Sequence, residues 1–341
     1  MSLIVAVLIF IVCLISMLVS SEVLVRGLTR LGIKLKLTEG LLGLLTALGT
    51  DAPEISSAIA SLLAGSADLG RGVVLGSNIF NLAMLLGLGA VLAGQVCVQR
   101  QSLALNGTMA LLTLLIVAAL LLGFLTPLPT ILLLAVLFIP YVLLLGLHPG
   151  QVFYLPLPRR IAQVLAVVVS VIHQEEKGKA EEERKQLDSK LSWLPVLLMP
   201  LVLAIIVIAS IWLVKTALVL ATAWQLPQAV IGAVILAGLT GLPNAYAAAR
   251  LALRGRGAAV VSETLNSNTI NLLVGLALPA LLIGMSRAAS HVALELGWLF
   301  GMTVIGLLLL IPAKGMTRVW GAALIVLYLV FVVVHVLWPH V

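Results

Sequence analysis

Runs of about twenty residues with hardly any charge recur along the chain, near 2–20, 38–63, 72–95, 103–124, 128–147, 193–214, 227–252, 258–284, 290–312 and 318–338. Crossing the hydrocarbon core as a helix takes roughly 20 residues, so each run is a candidate span. The pattern predicts an all-α polytopic membrane protein with about ten transmembrane helices. A closed barrel, the other structure that satisfies every backbone group in lipid, would show alternating segments of about ten residues instead. The first run begins at residue 3 with no basic stretch before it and no small-residue cleavage site after it, so it reads as a retained span and not a signal peptide.

One segment breaks the apolar pattern. "HQEEKGKAEEERKQLDSK", residues 173–190, carries six acids and five bases and reads as a solvated tether. The preceding "IAQVLAVVVSVI" is too short to span, and is expected to extend a helix or lie at the membrane interface. The chain thus divides into a first half (1–148), a linker (149–192) and a second half (193–341), with five spans in each half.

The halves repeat one another. "TDAPEISSAIASLLAGSADLGRGVVLGSNIFN", from Thr50, aligns without a gap on "TGLPNAYAAARLALRGRGAAVVSETLNSNTIN", from Thr240, at a constant offset of 190. Thr50 meets Thr240, Pro53 meets Pro243, Gly65 meets Gly255, Ser77 meets Ser267, Asn78 meets Asn268 and Asn81 meets Asn271. Chance similarity between apolar helices would match Leu and Ala; these matches are polar and helix-breaking residues, which lipid makes rare. A duplication explains them.

Charge settles the relative orientation of the copies. The formal net charge of +7, in a chain 62% hydrophobic and 10% charged, first suggests nucleic acid, but the placement of the Lys and Arg residues gives a plainer reason. With the N-terminus outside, seventeen of the twenty fall in inward loops, and Arg71, Lys215 and Arg287 fall outside. The positive-inside rule therefore predicts both termini outside and the 149–192 linker in the cytoplasm. The loop inside the first copy (about 40–95) is then outside and the loop inside the second (about 230–284) is inside, so the repeats are inverted. Inverted repeats with matched Gly and Pro interruptions point to a secondary transporter with its site at the bilayer midplane. Cys13 and Cys97 lie in or at the end of spans, and no disulfide framework is expected.

The candidate chemistry sits in "GTDAPE", residues 49–54. Pro53 and Pro243 lack an N–H, so the carbonyls of Gly49 and Leu239 lose their helical partners and could meet a cation. Asp51 and Glu54, at i and i+3, share a helical face with Cβ atoms roughly 5–6 Å apart. Two such carboxylates repel in lipid unless a cation or proton stands between them, and no Lys or Arg is expected at their depth. Glu39, Glu263 and Glu295 fall near predicted span ends, where solvation is the default, and the five His residues show no shared spacing; none is given a role. "NGT" at residue 106 matches a glycosylation pattern, but at the start of a span it reads as a chance match.

"GTDAPE" followed by "GSNIFN" resembles the cation/calcium exchanger superfamily, whose sodium/calcium exchangers carry two inverted alpha repeats of the form G-T-S-x-P-E followed by G-S-N-x-x-N or G-S-N-x-x-D. The resemblance covers both repeats and the ten-span plan. It implies cation sites built from Thr50, Glu54, Ser77 and Asn81 of the first repeat and Thr240, Ser267 and their neighbours of the second; Asp51, which shares a helical face with Glu54, and Asn244 and Asn271, at the matching places of the second repeat, complete the candidate set. It also implies rocking of spans one and six past a packed eight-helix core. The departures are that Asn244 stands where the family has glutamate, Asn271 where many exchangers have aspartate, and Asp51 where the family has serine. All acids therefore come from one repeat.

The expectation is a secondary active cation antiporter of the cell (inner) membrane, exchanging calcium for sodium or protons by alternating access. It is not expected to be an enzyme, to use a cofactor or to bind nucleic acid; its partners are inorganic cations and the bilayer. Two rivals remain: a transporter of the same fold for monovalent or other divalent cations, and a degenerate, non-transporting membrane subunit.

Overall fold

The computed structural model describes residues 2–154, 156, 158–171, 193–284, 291–312 and 314–337. The acidic and basic segment 173–190 lies outside them. The first half comprises α1 (Leu3–Lys34), α2 (Glu39–Thr50), α3 (Ala52–Leu63), α4 (Ala67–Ala93), α5 (Arg100–Leu121) and α6 (Pro127–Gly146). A short α7 covers residues 159–171. The second half comprises α8 (Leu194–Trp224), α9 (Gln228–Thr240), α10 (Leu242–Leu253), α11 (Gly257–Ile283), α12 (His291–Leu310) and α13 (Arg318–Leu337). Among the described residues eight helices are each long and apolar enough to cross a membrane, and α9 with α10, bent by 46°, forms a ninth span. The matching pair α2 and α3, broken at Asp51, completes the ten-span plan.

The breaks follow from the prolines. Pro53 and Pro243 sit in the first turns of α3 and α10, where the new helix needs no N–H from them and the fixed φ suits a helix start, so the cost falls on the carbonyl at the end of the preceding helix. The broken units also end alike: Gly65 (φ 75°) after α3 and Gly255 (φ 71°) after α10 take the left-handed conformation that turns the chain into the next helix. These two glycines are partners at the offset of 190.

The centre of the bundle is α4, with 89% of its spanning window buried. It crosses α9 at very close range. A Cβ added to Gly76 would lie 2.3 Å from the Ala233 carbonyl oxygen, and one added to Gly232 would lie 2.4 Å from that of Leu69. Small residues at such crossings let helix backbones touch, which is how helices associate in lipid. Gly76→Ala should therefore push the two backbones apart and cost ~1–3 kcal/mol, the usual range for overpacking. Gly297, with nothing within 4 Å of its added Cβ, is the control. Thermal unfolding in detergent that ranks Gly76→Ala with Gly297→Ala would contradict the close crossing.

α1 and α8 pack along one another at the periphery, with only 22% and 28% of their windows buried, as exposed as α6 and α13. They run 32 and 31 residues, well past the apolar runs 2–20 and 193–214. The hydropathy pattern stops at Ser21–Glu22 and at Lys215, but the helices do not, since charged residues at a helix end reach water without breaking it.

The structure departs from the sequence expectation elsewhere. Gln95–Val96 pairs antiparallel with Met316–Thr317, a contact too short to carry a period. A 3₁₀ turn at Pro149–Tyr154 separates α7 from α6, so that segment starts a helix of its own instead of extending one. Asn106, in the "NGT" read as a chance match, is buried within α5, where it accepts from the Tyr141 hydroxyl at 3.0 Å and donates to Ser262 at 3.3 Å. Arg71, counted in a loop by the apolar runs, lies in the second turn of α4, is 1% exposed and pairs with Asp68 at 2.8 Å. Glu295 is likewise buried, with His335 Nε2 3.1 Å from its carboxylate, because antiparallel α12 and α13 bring a helix start against a helix end. The side chain of Glu39 is outside the described residues.

Candidate cation site

The two breaks face each other in the interior. Asp51 occupies the junction of α2 and α3, Glu54 the first turn of α3, and Asn244 the first turn of α10; all three are 0% exposed. One amide nitrogen links them, because Asn244 Nδ2 donates to Asp51 Oδ1 at 2.7 Å and to Glu54 Oε1 at 3.3 Å. Ser267 Oγ, from α11, donates to the same Asp51 Oδ1 at 2.6 Å. Asn81 Nδ2, from α4, donates to Ser267 Oγ at 2.9 Å and to Asn268 Oδ1 at 3.1 Å. Each of these bonds passes from one repeat to the other.

Asn78 and Asn268 reinforce the crossing. Each donates its Nδ2 to the other's backbone carbonyl, at 3.1 Å in both directions. Partners at an offset of 190 therefore hydrogen-bond reciprocally, as a two-fold arrangement requires. A π-helical stretch follows directly: Leu82–Gly87 after Asn81, and Asn271–Ala277 beginning at Asn271. Such wide turns occur often at functional sites.

The donors around the carboxylates are neutral, and they leave work undone. Asp51 Oδ2, Glu54 Oε2, Ser77 Oγ, Asn81 Oδ1, Asn244 Oδ1 and both side-chain polar atoms of Asn271 are buried without a hydrogen-bond partner among the described residues. Buried polar atoms are normally satisfied, so a cluster of oxygens that is not calls for a ligand. The two threonines behave differently: Thr50 Oγ1 donates back to Ala47 O at 2.9 Å and Thr240 Oγ1 to Leu236 O at 2.8 Å. The Gly49 carbonyl, released by Pro53, accepts from the Ser21 hydroxyl of α1 at 3.0 Å.

Sequence reasoning missed three polar residues here. Asn268 and Asn78 stood in the repeat but were not singled out as site residues, and reciprocal pairing across an axis has no one-dimensional signature. Glu263 was read as solvated at a span end, yet it is 6% exposed and lines a cavity of about 500 Å³ together with Thr46, Thr50 and Pro243. The boundary itself held, the apolar run starting at 258 and α11 at Gly257; the error lay in treating a residue nearly two turns inside the helix as solvated. Among the described residues no three His, Cys, Asp or Glu side chains converge on one point, so the cluster consists of two carboxylates with neutral oxygens.

Two broken-helix units in opposite orientation, meeting over buried carboxylates, define an integral membrane protein built on inverted five-helix repeats, the plan of secondary transporters. The family model described as "Sodium/calcium exchanger protein" matches residues 5–147 and 194–337, and the chain belongs to that family. Among solved structures the chain is similar to the sodium-calcium exchanger NCX_Mj soaked with sodium and strontium, at 21% identity and a TM-score of 0.60, covering 97% of this chain and 99% of that one. It is also similar to an H⁺/Ca²⁺ exchanger, CAX, at 14% identity and a TM-score of 0.71, covering 96% and 82%. These likenesses are of fold. A protein of Alkalimonas amylolytica, provisionally named the antiporter CaxA, is 37% identical over 78 residues; the match spans 23% of this chain and about a quarter (24%) of that relative's length.

Proposed function

We propose that the protein is a secondary active antiporter that exchanges calcium for sodium or protons at the Asp51–Glu54 cluster. The observation carrying this reading is the set of buried, unpartnered oxygens contributed by both repeats: Asp51 Oδ2, Glu54 Oε2, Ser77 Oγ, Asn81 Oδ1 and Asn244 Oδ1. Hard cations take such oxygen ligands, and an uncompensated buried carboxylate costs several kcal/mol, so a cation or proton completes the site. Thr50, Thr240, Ser267 and Asn271 are its remaining candidate members. The relatives named as Na⁺/Ca²⁺ and H⁺/Ca²⁺ exchangers support the same cargo here.

The orientation and motion belong to the same proposal. Both termini lie outside the cell (inner) membrane and residues 149–192 in the cytoplasm, which makes the 500 Å³ cavity, rimmed by Arg26, Arg30, Arg250 and Arg254, the cytoplasmic access. Residues 1–148 and 193–341 act as the two exchanger repeats. Access alternates as α1 and α8, which pack chiefly on one another, shift against the other helices, and the Ser21–Gly49 bond is a contact such a shift must break.

Two carboxylates balance one calcium, two sodium ions or two protons, and low dielectric disfavours any surplus. Calcium exchange should accordingly be close to electroneutral. In potassium/valinomycin-clamped proteoliposomes its rate should barely follow the imposed voltage; a steep dependence would mean that more charge moves than the two carboxylates balance. Calcium, sodium and proton gradients applied one at a time test the function itself. Calcium uptake driven by neither sodium nor protons would refute the reading, and flux of another cation would point to the rival cargo.

A further inference from the structure

Glu263 has no part in the cluster just described, yet it stands beside it. On α11 it lies one turn before Ser267, the residue whose hydroxyl donates to Asp51 at 2.6 Å. Residues four apart share a helical face, with Cβ atoms roughly 6 Å apart. Glu263 also lines the cavity that reaches Thr50, the residue directly before Asp51. The carboxylate thus sits between open cavity and buried cluster.

The rest of the cavity wall makes that placement consequential. Arg26, Arg30, Arg250 and Arg254 all line it, an unfavourable lining for an incoming cation. Glu22, the other carboxylate on the wall, is half-exposed at 54% and bound to Arg26 at 2.9 Å. Glu263 is the buried carboxylate along this route. It makes an interaction of its own, so an arriving cation must displace or share that partner. Since no three acidic or other metal-binding side chains converge among the described residues, Glu263 does not complete the same ligand shell; it forms a separate stop one turn away.

We propose that Glu263 is a transient cation-binding station at the floor of this cavity, taking up the transported cation on its way between the cavity and Asp51 with Glu54. The inference rests on the antiporter reading above, and it deepens it. The second repeat, which has Asn244 where an acid would balance Glu54, carries a carboxylate after all, displaced toward one face of the membrane. The pathway is then lopsided, with a carboxylate station on the cavity side and no counterpart at Val73, the residue that matches Glu263 at an offset of 190. A fixed charge at the mouth of a buried site raises the local concentration of counter-ions and speeds their arrival.

The test is a one-sided kinetic effect. In proteoliposomes of defined orientation, with calcium and then sodium titrated on each face in turn, Glu263→Gln should raise the half-saturating concentration on the cavity side about tenfold. On the opposite face the shift should stay within about threefold, the residual influence of a lost charge on the shared site. Glu22→Gln, at the exposed rim, should shift neither face by more than about twofold. Glu263→Asp keeps the charge and should restore most of the loss, which separates the station from a packing role and substitutes should Glu263→Gln fold poorly. Equal shifts on both faces, or none, would overturn the proposal. Glu54→Gln measured alongside keeps the two ideas apart: if it transports like wild type the antiporter site itself is misassigned, whereas an inactive Glu54→Gln beside an unaffected Glu263→Gln removes only the station.

Discussion

Glu54→Gln is expected to abolish exchange, to below about 1% of the wild-type rate, in a protein that remains folded. Glutamine keeps the shape of the side chain and an oxygen to accept from Asn244 Nδ2, so the contact across the two breaks survives. What is lost is one negative charge at the cation. At an effective dielectric of about 20, a unit charge roughly 3 Å from a divalent ion is worth ~11 kcal/mol before desolvation. If only a quarter of that remains after desolvation, it matches the ~2.8 kcal/mol of a hundredfold change. The measurement is calcium flux with monodisperse Glu54→Gln protein whose melting temperature matches wild type. Wild-type flux from that sample would remove Glu54 from the site.

Asn244→Glu should act in the opposite direction on binding and tighten calcium about a hundredfold. The side chain already lies against both carboxylates, at 2.7 Å and 3.3 Å, so a carboxylate there faces the same ion as Asp51 and Glu54. In the absence of calcium the substitution removes the amide that holds the two acids together and adds a third charge to repel them. The variant should therefore be markedly less stable than wild type in chelator and regain stability as calcium is added. Turnover need not improve, because an ion held more tightly leaves more slowly. Equilibrium calcium binding and calcium-dependent melting check both halves, and an unchanged dissociation constant would mean that Asn244 does not face the ion.

Most of the fold was legible because lipid leaves few options. Ten apolar runs, a proline at matched places in two of them and an asymmetric spread of Lys and Arg were enough to give helices, breaks and inversion. The repeat was readable for the same reason: in an apolar background, Thr50, Ser77, Asn78 and Asn81 and their partners stand out. What could not be read was depth. Glu263 and Glu295 looked solvated because each lies near the end of an apolar run. Yet Glu263 falls well inside α11, and Glu295 is covered by His335 from a neighbouring helix. Nor could the sequence say which polar atoms satisfy one another. Ser21 and the carbonyl of Gly49 are 28 residues apart and belong to different spans, so the fate of the oxygen that Pro53 releases became visible only in three dimensions.

The reciprocal bonds between Asn78 and Asn268 bear on the energetics of the whole cycle. A rotation leaves the points on its own axis where they were, and this pair straddles the axis that relates the repeats. If the opposite access state is generated by exchanging the conformations of the two halves, Asn78 and Asn268 merely trade places, and their two bonds return unchanged. They contribute equally to both end states and cancel from the difference between them. The bias toward one state must then arise where the halves are unlike, among other places at Asp51 against Gly241, Glu54 against Asn244 and Val73 against Glu263. In this chain the quasi-symmetric frame fixes the fulcrum, and the residues that break the symmetry set which way the balance tips.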